Sequence, residues 1–546
     1  MTHTLPSRRT VLLGGTSLLT AGFLAACSGS PADTGTDAAP TTTASGEAVV
    51  GGSLRFAIGN DVGSLNPQGG GTGNDTLYVN RQVFDSLIYH NPDTGELEPW
   101  LATQWTANED STEFTFTLRE GVTFSDGTPL TAQVVLDNVD DVLTQGANAA
   151  NTVAYLADYA GGEATDELTF TITFDKPSAP FLEALSSVAL APLAPATLAL
   201  EWSERLTSAI GTGPFVVDHY TKDTEVLLVR RDDYAWGPSS AANGGAAYLD
   251  EVTFLVLPEA SVRTGAITSD QADGIGGVPP QDQETLTGAG LTIVERANPG
   301  VAFGLTTYYG RPLLQDPDVR RALSLAIDRT QVRDAALNDS YAVATGVLAS
   351  TTPGWSDLSA LLGYDPDEAG SLLDAAGWAA GDDGIRSKDG EALSLELWWV
   401  NNFVANQTAL ELIQVQAKAV GIEITLHESD WVSLQDATAD GAIDLSWGNL
   451  SRSDPDILRT RFYNDGSTVN LPPDETLNKL LDAQRGQADE ERFATVEQAA
   501  TYILEEGYYI PVFELTSVLA LEPGVHGLTL GADSRLDTLV NTWVQA

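Results

Sequence analysis

One cysteine, one methionine and five histidines among 546 residues leave little for sulfur or metal chemistry. Cys27 has no partner within the chain, which excludes an intramolecular disulfide framework and a cysteine-rich metal site. His3, His90, His219, His427 and His526 are scattered and show no metal-ligand spacing, so neither a metal nor a cofactor is expected. There is no Gly-x-Ser-x-Gly elbow, no Ser-x-x-Lys pair and no Gly-x-x-x-x-Gly-Lys phosphate loop, so an enzyme is not expected. Gly69-Gly70-Gly71-Thr72-Gly73 lacks the strand-to-helix setting of a dinucleotide site. Positive charge is also scarce. Lys and Arg number 27 against 76 Asp and Glu, a formal net of −49, and such a surface repels nucleic acid and anionic lipid.

Long apolar runs are nearly absent as well. The one candidate, from Val11 to Phe23, falls short of the roughly 20 apolar residues a spanning helix needs. It follows Ser7-Arg8-Arg9 and ends in Leu24-Ala25-Ala26-Cys27, the layout of an export signal over residues 1–26. The Arg8-Arg9 pair resembles a twin-arginine signal, and Leu24-Ala25-Ala26-Cys27 resembles a bacterial lipobox. Cys27 is then the expected lipidation site, and its diacylglyceryl group would supply the more than one acyl chain that stable anchoring takes. An ordinary secretory signal is the alternative. Removing residues 1–26 takes away two positive charges and no acid, which shifts the net from −49 to −51. Ser28 to Val50 holds almost no bulky apolar residue, so residues 27–50 read as a tether that cannot build a core. The remainder, in a chain that is 42% hydrophobic, suffices for several domains.

The folded part opens with the alternating strand Gly52 to Ile58, which runs into Gly59-Asn60-Asp61-Val62-Gly63-Ser64-Leu65-Asn66-Pro67. Val83-Phe84-Asp85-Ser86-Leu87-Ile88-Tyr89 reads as a helix followed by a turn. Phe114 to Leu118 alternates strongly, and Phe124-Ser125-Asp126-Gly127-Thr128-Pro129-Leu130-Thr131-Ala132 reads as a turn into a helix. Further along stand Gly211-Thr212-Gly213-Pro214-Phe215, Tyr234-Ala235-Trp236-Gly237 and Asp316 to Arg329. Within the last, Val319, Leu323, Ala326 and Ile327 form a core-facing stripe. Leu393 to Trp399 and Ile422 to Leu426 are apolar strands joined by a crossover helix from Ala409 to Val420.

These motifs, in this order, resemble the extracellular solute-binding proteins of the peptide and nickel class, family 5. The resemblance implies an α/β, two-lobed periplasmic-binding-protein type II fold with an inserted subdomain in lobe one. Lobe one is expected over 51–72, 203–305 and 517–546, the insert over 73–202, and lobe two over 306–516. The implied role is capture of a small ligand outside the cytoplasm and delivery to an ABC permease, by a monomer held at the cell membrane through its lipid anchor. A short peptide is the expected ligand. An amino-acid derivative, an opine, a metal chelate and a sugar are the alternatives, and a secreted lipoprotein hydrolase is the alternative of a different class. Ser451-Arg452-Ser453-Asp454-Pro455 departs from the pattern of peptide binders, which bears on ligand identity and not on fold.

Ligands of open α/β sheets lie beyond the carboxyl ends of strands, and closure of two lobes buries them. That rule selects Asn60, Asp61 and Ser64 after the first strand, then Asn401 and Asn402 after Trp399. It also selects Asn449, Arg452 and Asp454 after Trp447. Carboxylates suit an amine, an arginine fork suits a carboxylate, and Asn suits peptide amides. Trp399 and Trp447 are candidate apolar walls, although an alternating strand turns either Trp398 or Trp399 to the core. Tyr308, Tyr309 and Arg461 are further candidates.

Overall fold

The computed structural model describes residues 47–69, 73–466 and 471–545. The expected export signal, Cys27 and most of the expected tether lie outside the described residues. No helix among the described residues is long and apolar enough to cross a membrane.

Two mixed sheets organise the chain. The first has seven strands, in the order Thr292–Ala297, Thr516–Leu521, Gly274–Gly276, Ser53–Ile58, Glu251–Val256, Glu225–Arg230 and Phe215–Thr221. Ser53–Ile58 lies at its centre, parallel to both neighbours, and turns Leu54, Phe56 and Ile58 into one core. The second has five strands, in the order Glu423–Ser429, Ser394–Val400, Leu445–Ser451, Gly300–Thr307 and Tyr509–Phe513. Ser394–Val400 is parallel to both of its neighbours, with the helix Asn406–Ala419 as the crossover.

The chain passes between these sheets twice. Thr292–Ala297 leads through Asn298 and Pro299 into Gly300–Thr307, and Tyr509–Phe513 leads through Glu514 and Leu515 into Thr516–Leu521. The two passages are tied together: Asn298 N donates to Leu515 O at 2.7 Å, and Ser517 Oγ donates to Asn298 Oδ1 at 2.9 Å. Gly300 sits at φ +112°, where a Cβ would come within 2.3 Å of Leu450 O, so glycine alone fits this entry to the second sheet. The expected lobe boundary at 305/306 falls inside Gly300–Thr307, a strand that belongs wholly to the five-stranded sheet.

A four-stranded sheet of Ala102–Ala107, Glu113–Leu118, Thr169–Phe174 and Tyr159–Ala164 carries a separate core. The alternation read from Phe114 to Leu118 holds, because Phe114, Phe116 and Leu118 are buried and Phe116 stacks on Phe170 at 5.1 Å. The Val83 segment differs from expectation: the helix is Asn74–Val83, and Phe84 is already extended. The reason is Asp85, which is fully buried. Its carboxylate accepts from Trp236 Nε1 at 3.0 Å and Tyr234 OH at 3.3 Å, and its N–H faces Thr212 Oγ1 at 3.4 Å. Asp316–Arg329 likewise holds two helices. Pro317–Ala326 ends where Asp328 caps Arg329–Ala336, and Asp328 Oδ1 accepts from Gln331 N at 3.0 Å.

Burial pushes Asp85 up to about 6 from the ordinary 3.8, against the donors from Thr212, Trp236 and Tyr234. The folded state therefore binds this proton more tightly than the unfolded chain, and stability falls as pH rises from about 4 to about 6. The loss is roughly 3 kcal/mol. Asp85→Asn removes this slope. The melting temperature of the variant relative to the native protein should rise between pH 4 and pH 7; a constant difference across that range would count against the assignment.

Candidate ligand-binding cleft

Between the four-stranded unit, the C-terminal segment and the end of Leu445–Ser451 lies a cavity of about 120 Å³. Four separate stretches of chain supply its polar wall. The helix Asn74–Val83 brings Arg81, and the strand Ile88–His90 brings Tyr89 and His90. The turn from Gly531 to Asp537 brings Asp533, Arg535 and Asp537, with Ser534 at φ +60° where the chain reverses. Arg452 and Asp454 face them from beyond Leu445–Ser451.

The charges divide into two sets. His90 Nδ1 lies 2.6 Å from Glu183 Oε1. Burial opposes the imidazolium, but the Glu183 hydrogen bond and charge outweigh it and hold His90 above its ordinary pKa. Tyr89 OH donates to Asp537 Oδ2 at 2.6 Å, and burial keeps the Asp537 carboxyl above the usual carboxylate range despite that donor. These groups satisfy one another. The second set does not. Arg81 donates to Ser86 Oγ at 2.7 Å and to Ser186 O at 2.9 Å. Arg452 donates to Thr460 Oγ1 at 2.9 Å, and Arg535 to Asn74 Oδ1 at 3.2 Å and to the Asp533 carbonyl at 2.6 Å. None of the three pairs with a carboxylate among the described residues, although acids outnumber bases by 49 in the chain. A guanidinium carries five donors, so each keeps some in reserve. The Asp533 carboxylate accepts from Arg535 N at 3.0 Å and forms no ion pair among the described residues, although its charge is felt by His90 and Arg296. The wall therefore offers cationic forks and a carboxylate a few residues apart, an arrangement for holding a small ligand by its charged ends rather than for breaking bonds.

Of the ten residues expected from sequence, the structure brings Arg452 and Asp454 to this cavity. Asp454 is already engaged, accepting from both terminal nitrogens of the buried Arg492 at 2.9 and 2.5 Å. Asn449 sits two residues short of the wall and donates to Ser451 Oγ at 3.2 Å. Trp399 and Trp447 point into the core of the five-stranded sheet, 4% and 5% exposed. Alternation decides it for Trp399, leaving Trp398 outside and stacked on His427, while Trp447 donates to Asn406 Oδ1 at 2.9 Å. Asn401 and Asn402 are exposed and bond to Glu428 and Asn406. Asn60 and Asp61 form a turn: Asn60 donates to Asp75, and Asp61 accepts from Tyr220 OH at 2.5 Å and Asp223 N at 2.8 Å. Ser64 is buried and bonds within its own loop to Asn66. Tyr308 and Arg461 bond to Ser446 and Thr306 of the five-stranded sheet, and the Tyr309 ring lies under Arg320.

Sequence reading missed Arg81, Tyr89, His90, Asp533, Arg535 and Asp537. Tyr89 ends a motif whose residues otherwise serve turns and core. The Gly531-Ala532-Asp533-Ser534-Arg535 stretch has no periodicity to mark it. No local signal tells either from ordinary surface polarity.

Two sheets joined by two strand passages, with a charged cavity beside them, define a two-lobed binding protein with an inserted subdomain. The comparisons agree. The profile of "Bacterial extracellular solute-binding proteins, family 5 Middle" matches residues 96–469, and the chain belongs to this family of ABC-transporter substrate-binding proteins, which are not enzymes. The nickel-binding periplasmic protein of Escherichia coli K12 is 26% identical over 492 residues, 85% of this chain and 89% of the relative. The glutathione-binding protein GsiB of the same organism is 28% identical over 386 residues, 68% and 69% of the two chains. The structure of NikA from Brucella suis in complex with Fe(III)-EDTA superposes with a TM-score of 0.79 at 25% identity, over 90% of this chain and 100% of that one.

Proposed function

We propose that this protein captures a short peptide in the cleft and hands it to an ABC permease, from a lipid anchor at Cys27 on the outer face of the membrane. The supporting observation is the set of arginines without carboxylate partners among the described residues, Arg81, Arg452 and Arg535, beside the Asp533 carboxylate, which forms no ion pair among those residues. A zwitterionic ligand satisfies both sets, its carboxylate on the arginine forks and its amine on Asp533. Leaving such partly desolvated groups unmatched penalises ligands without charged ends. The GsiB relative is named for glutathione, a short acidic peptide. In this reading the seven-stranded sheet forms lobe one, the four-stranded unit is the insert, and the five-stranded sheet forms lobe two. The lobes swing about the passages at 298–299 and 514–515.

A thermal-shift panel of di- to tetrapeptides, amino-acid conjugates, metal chelates and oligosaccharides tests the ligand class. A peptide at one hundred times its Kd should stabilise the protein by about 2.7 kcal/mol. Arg452→Ala should weaken that peptide at least tenfold, since a charge-assisted hydrogen bond contributes about 1.5–3 kcal/mol. Stabilisation by chelates or sugars alone would overturn the peptide assignment and leave the family membership untouched.

A further inference from the structure

Two strand passages are the only covalent links between the sheets among the described residues. Any opening about them must separate the inserted unit from the five-stranded lobe on the far side of the cavity. There the two touch through a specific set of contacts. The 3-10 turn Gln484–Gly486 of the five-stranded lobe presents Arg485 to the insert. Arg485 Nη1 donates to Asp158 Oδ2 at 2.9 Å, and Arg485 O accepts from Ala179 N at 2.7 Å. Lys176 Nζ lies 3.1 Å from the other oxygen of Asp158. The approach is close: a Cβ on Gly486 would stand 3.1 Å from Pro177 Cβ. Nearer the cavity, the Arg452 guanidinium covers the Tyr155 ring at 4.8 Å.

Three features separate this contact from an incidental surface pair. First, it is shielded, with the Arg485 side chain 7% and the Asp158 side chain 22% exposed, so solvent screens it less than an open ion pair. Second, both carboxylate oxygens of Asp158 are engaged, Oδ2 by Arg485 at 2.9 Å and Oδ1 by Lys176 at 3.1 Å, which fixes the carboxylate where Arg485 meets it. Third, Arg485 is wired to the cavity wall. Asp454, in that wall, is bound by Arg492, whose Nε donates at 2.9 Å to Gln484 Oε1, the residue before Arg485. Gln484 in turn donates to Asp456.

We propose that Asp158 and Arg485 form an interlobe clasp, which holds the insert against the five-stranded lobe and keeps the cavity shut. Both are positioning residues and neither lines the 120 Å³ cavity. The proposal rests on opening about the two passages and not on the peptide reading. A clasp of this kind biases the open–closed equilibrium before any ligand arrives, because opening would break it.

The test measures lobe separation without ligand. Spin labels are placed on the full chain at the exposed Glu163 of the insert and Lys479 of the five-stranded lobe, with Cys27 replaced by serine, and read by double electron–electron resonance. Asp158→Asn keeps the size and tolerates the left-handed backbone at φ +66°, and Arg485→Gln removes the other charge. Each single substitution should shift the closed-to-open ratio about tenfold toward longer distances, and the pair together should add little more. Unchanged distance distributions in both single variants, a lowered melting temperature with no change in distance, or fully additive effects would each overturn the clasp. Because no ligand is present, failure of the peptide panel leaves this result interpretable.

Discussion

Arg492→Ala is expected to destabilise the protein by about 3–5 kcal/mol, the cost of removing one partner of a buried ion pair. Both members are nearly inaccessible, the side chains of Arg492 and Asp454 being 7% and 5% exposed. Arg492 reaches both Asp454 oxygens and Gln484 Oε1. Asp456 stands close by, pushed up to about 6 by burial and by the charge of Asp454. Without the guanidinium, two carboxylates face each other with too little compensating charge. The chain then either protonates them or loosens the turn that carries Arg485. Chemical denaturation at pH 7.5 and at pH 5 checks this: the deficit should shrink at the lower pH, where Asp456 takes up its proton. Adding Asp454→Ala to Arg492→Ala should recover part of the loss, since it removes the stranded charge. A deficit under 1 kcal/mol at pH 7.5 would show that the pair is not buried in solution.

Trp447→Ala is expected to cost about 3–5 kcal/mol and to leave ligand affinity unchanged below the melting temperature. The indole packs at 5.3 Å from Phe303 and 5.7 Å from Phe513, strands of the same sheet, and its N–H satisfies Asn406. Truncation leaves a cavity and a buried Asn406 oxygen that has lost its donor. A loss of affinity with stability intact would return Trp447 to the cleft wall, where residue type alone had placed it. Titration calorimetry against the best peptide, beside a melting curve, separates the two outcomes.

The fold was largely legible in the sequence because its signals are local or ordered along the chain. Phe114 to Leu118 alternates and buries its apolar side, and Val319, Leu323, Ala326 and Ile327 lie in the core as their spacing requires. Helix ends were less legible where a tertiary partner intervenes. Asp85 ends the helical reading of its segment early because Trp236 and Tyr234, about 150 residues away, bond to its carboxylate. Of the ten residues the sequence reading selected, Arg452 and Asp454 alone line the cavity. The rule of strand carboxyl ends found that loop, but most of the polar wall comes from the insert and the C-terminal turn, which the rule does not address.

Composition and motif order by themselves determined that this is an α/β binding protein of family 5. Those properties depend on which residues are present and in what sequence. Only the tertiary structure decided which arginines go without a carboxylate among the described residues, which tryptophan faces the core, and that Asp158 meets Arg485 across 327 positions of chain. Pairing between distant segments leaves no local pattern, because what selects the partner is the geometry of the folded chain and not its neighbours in sequence.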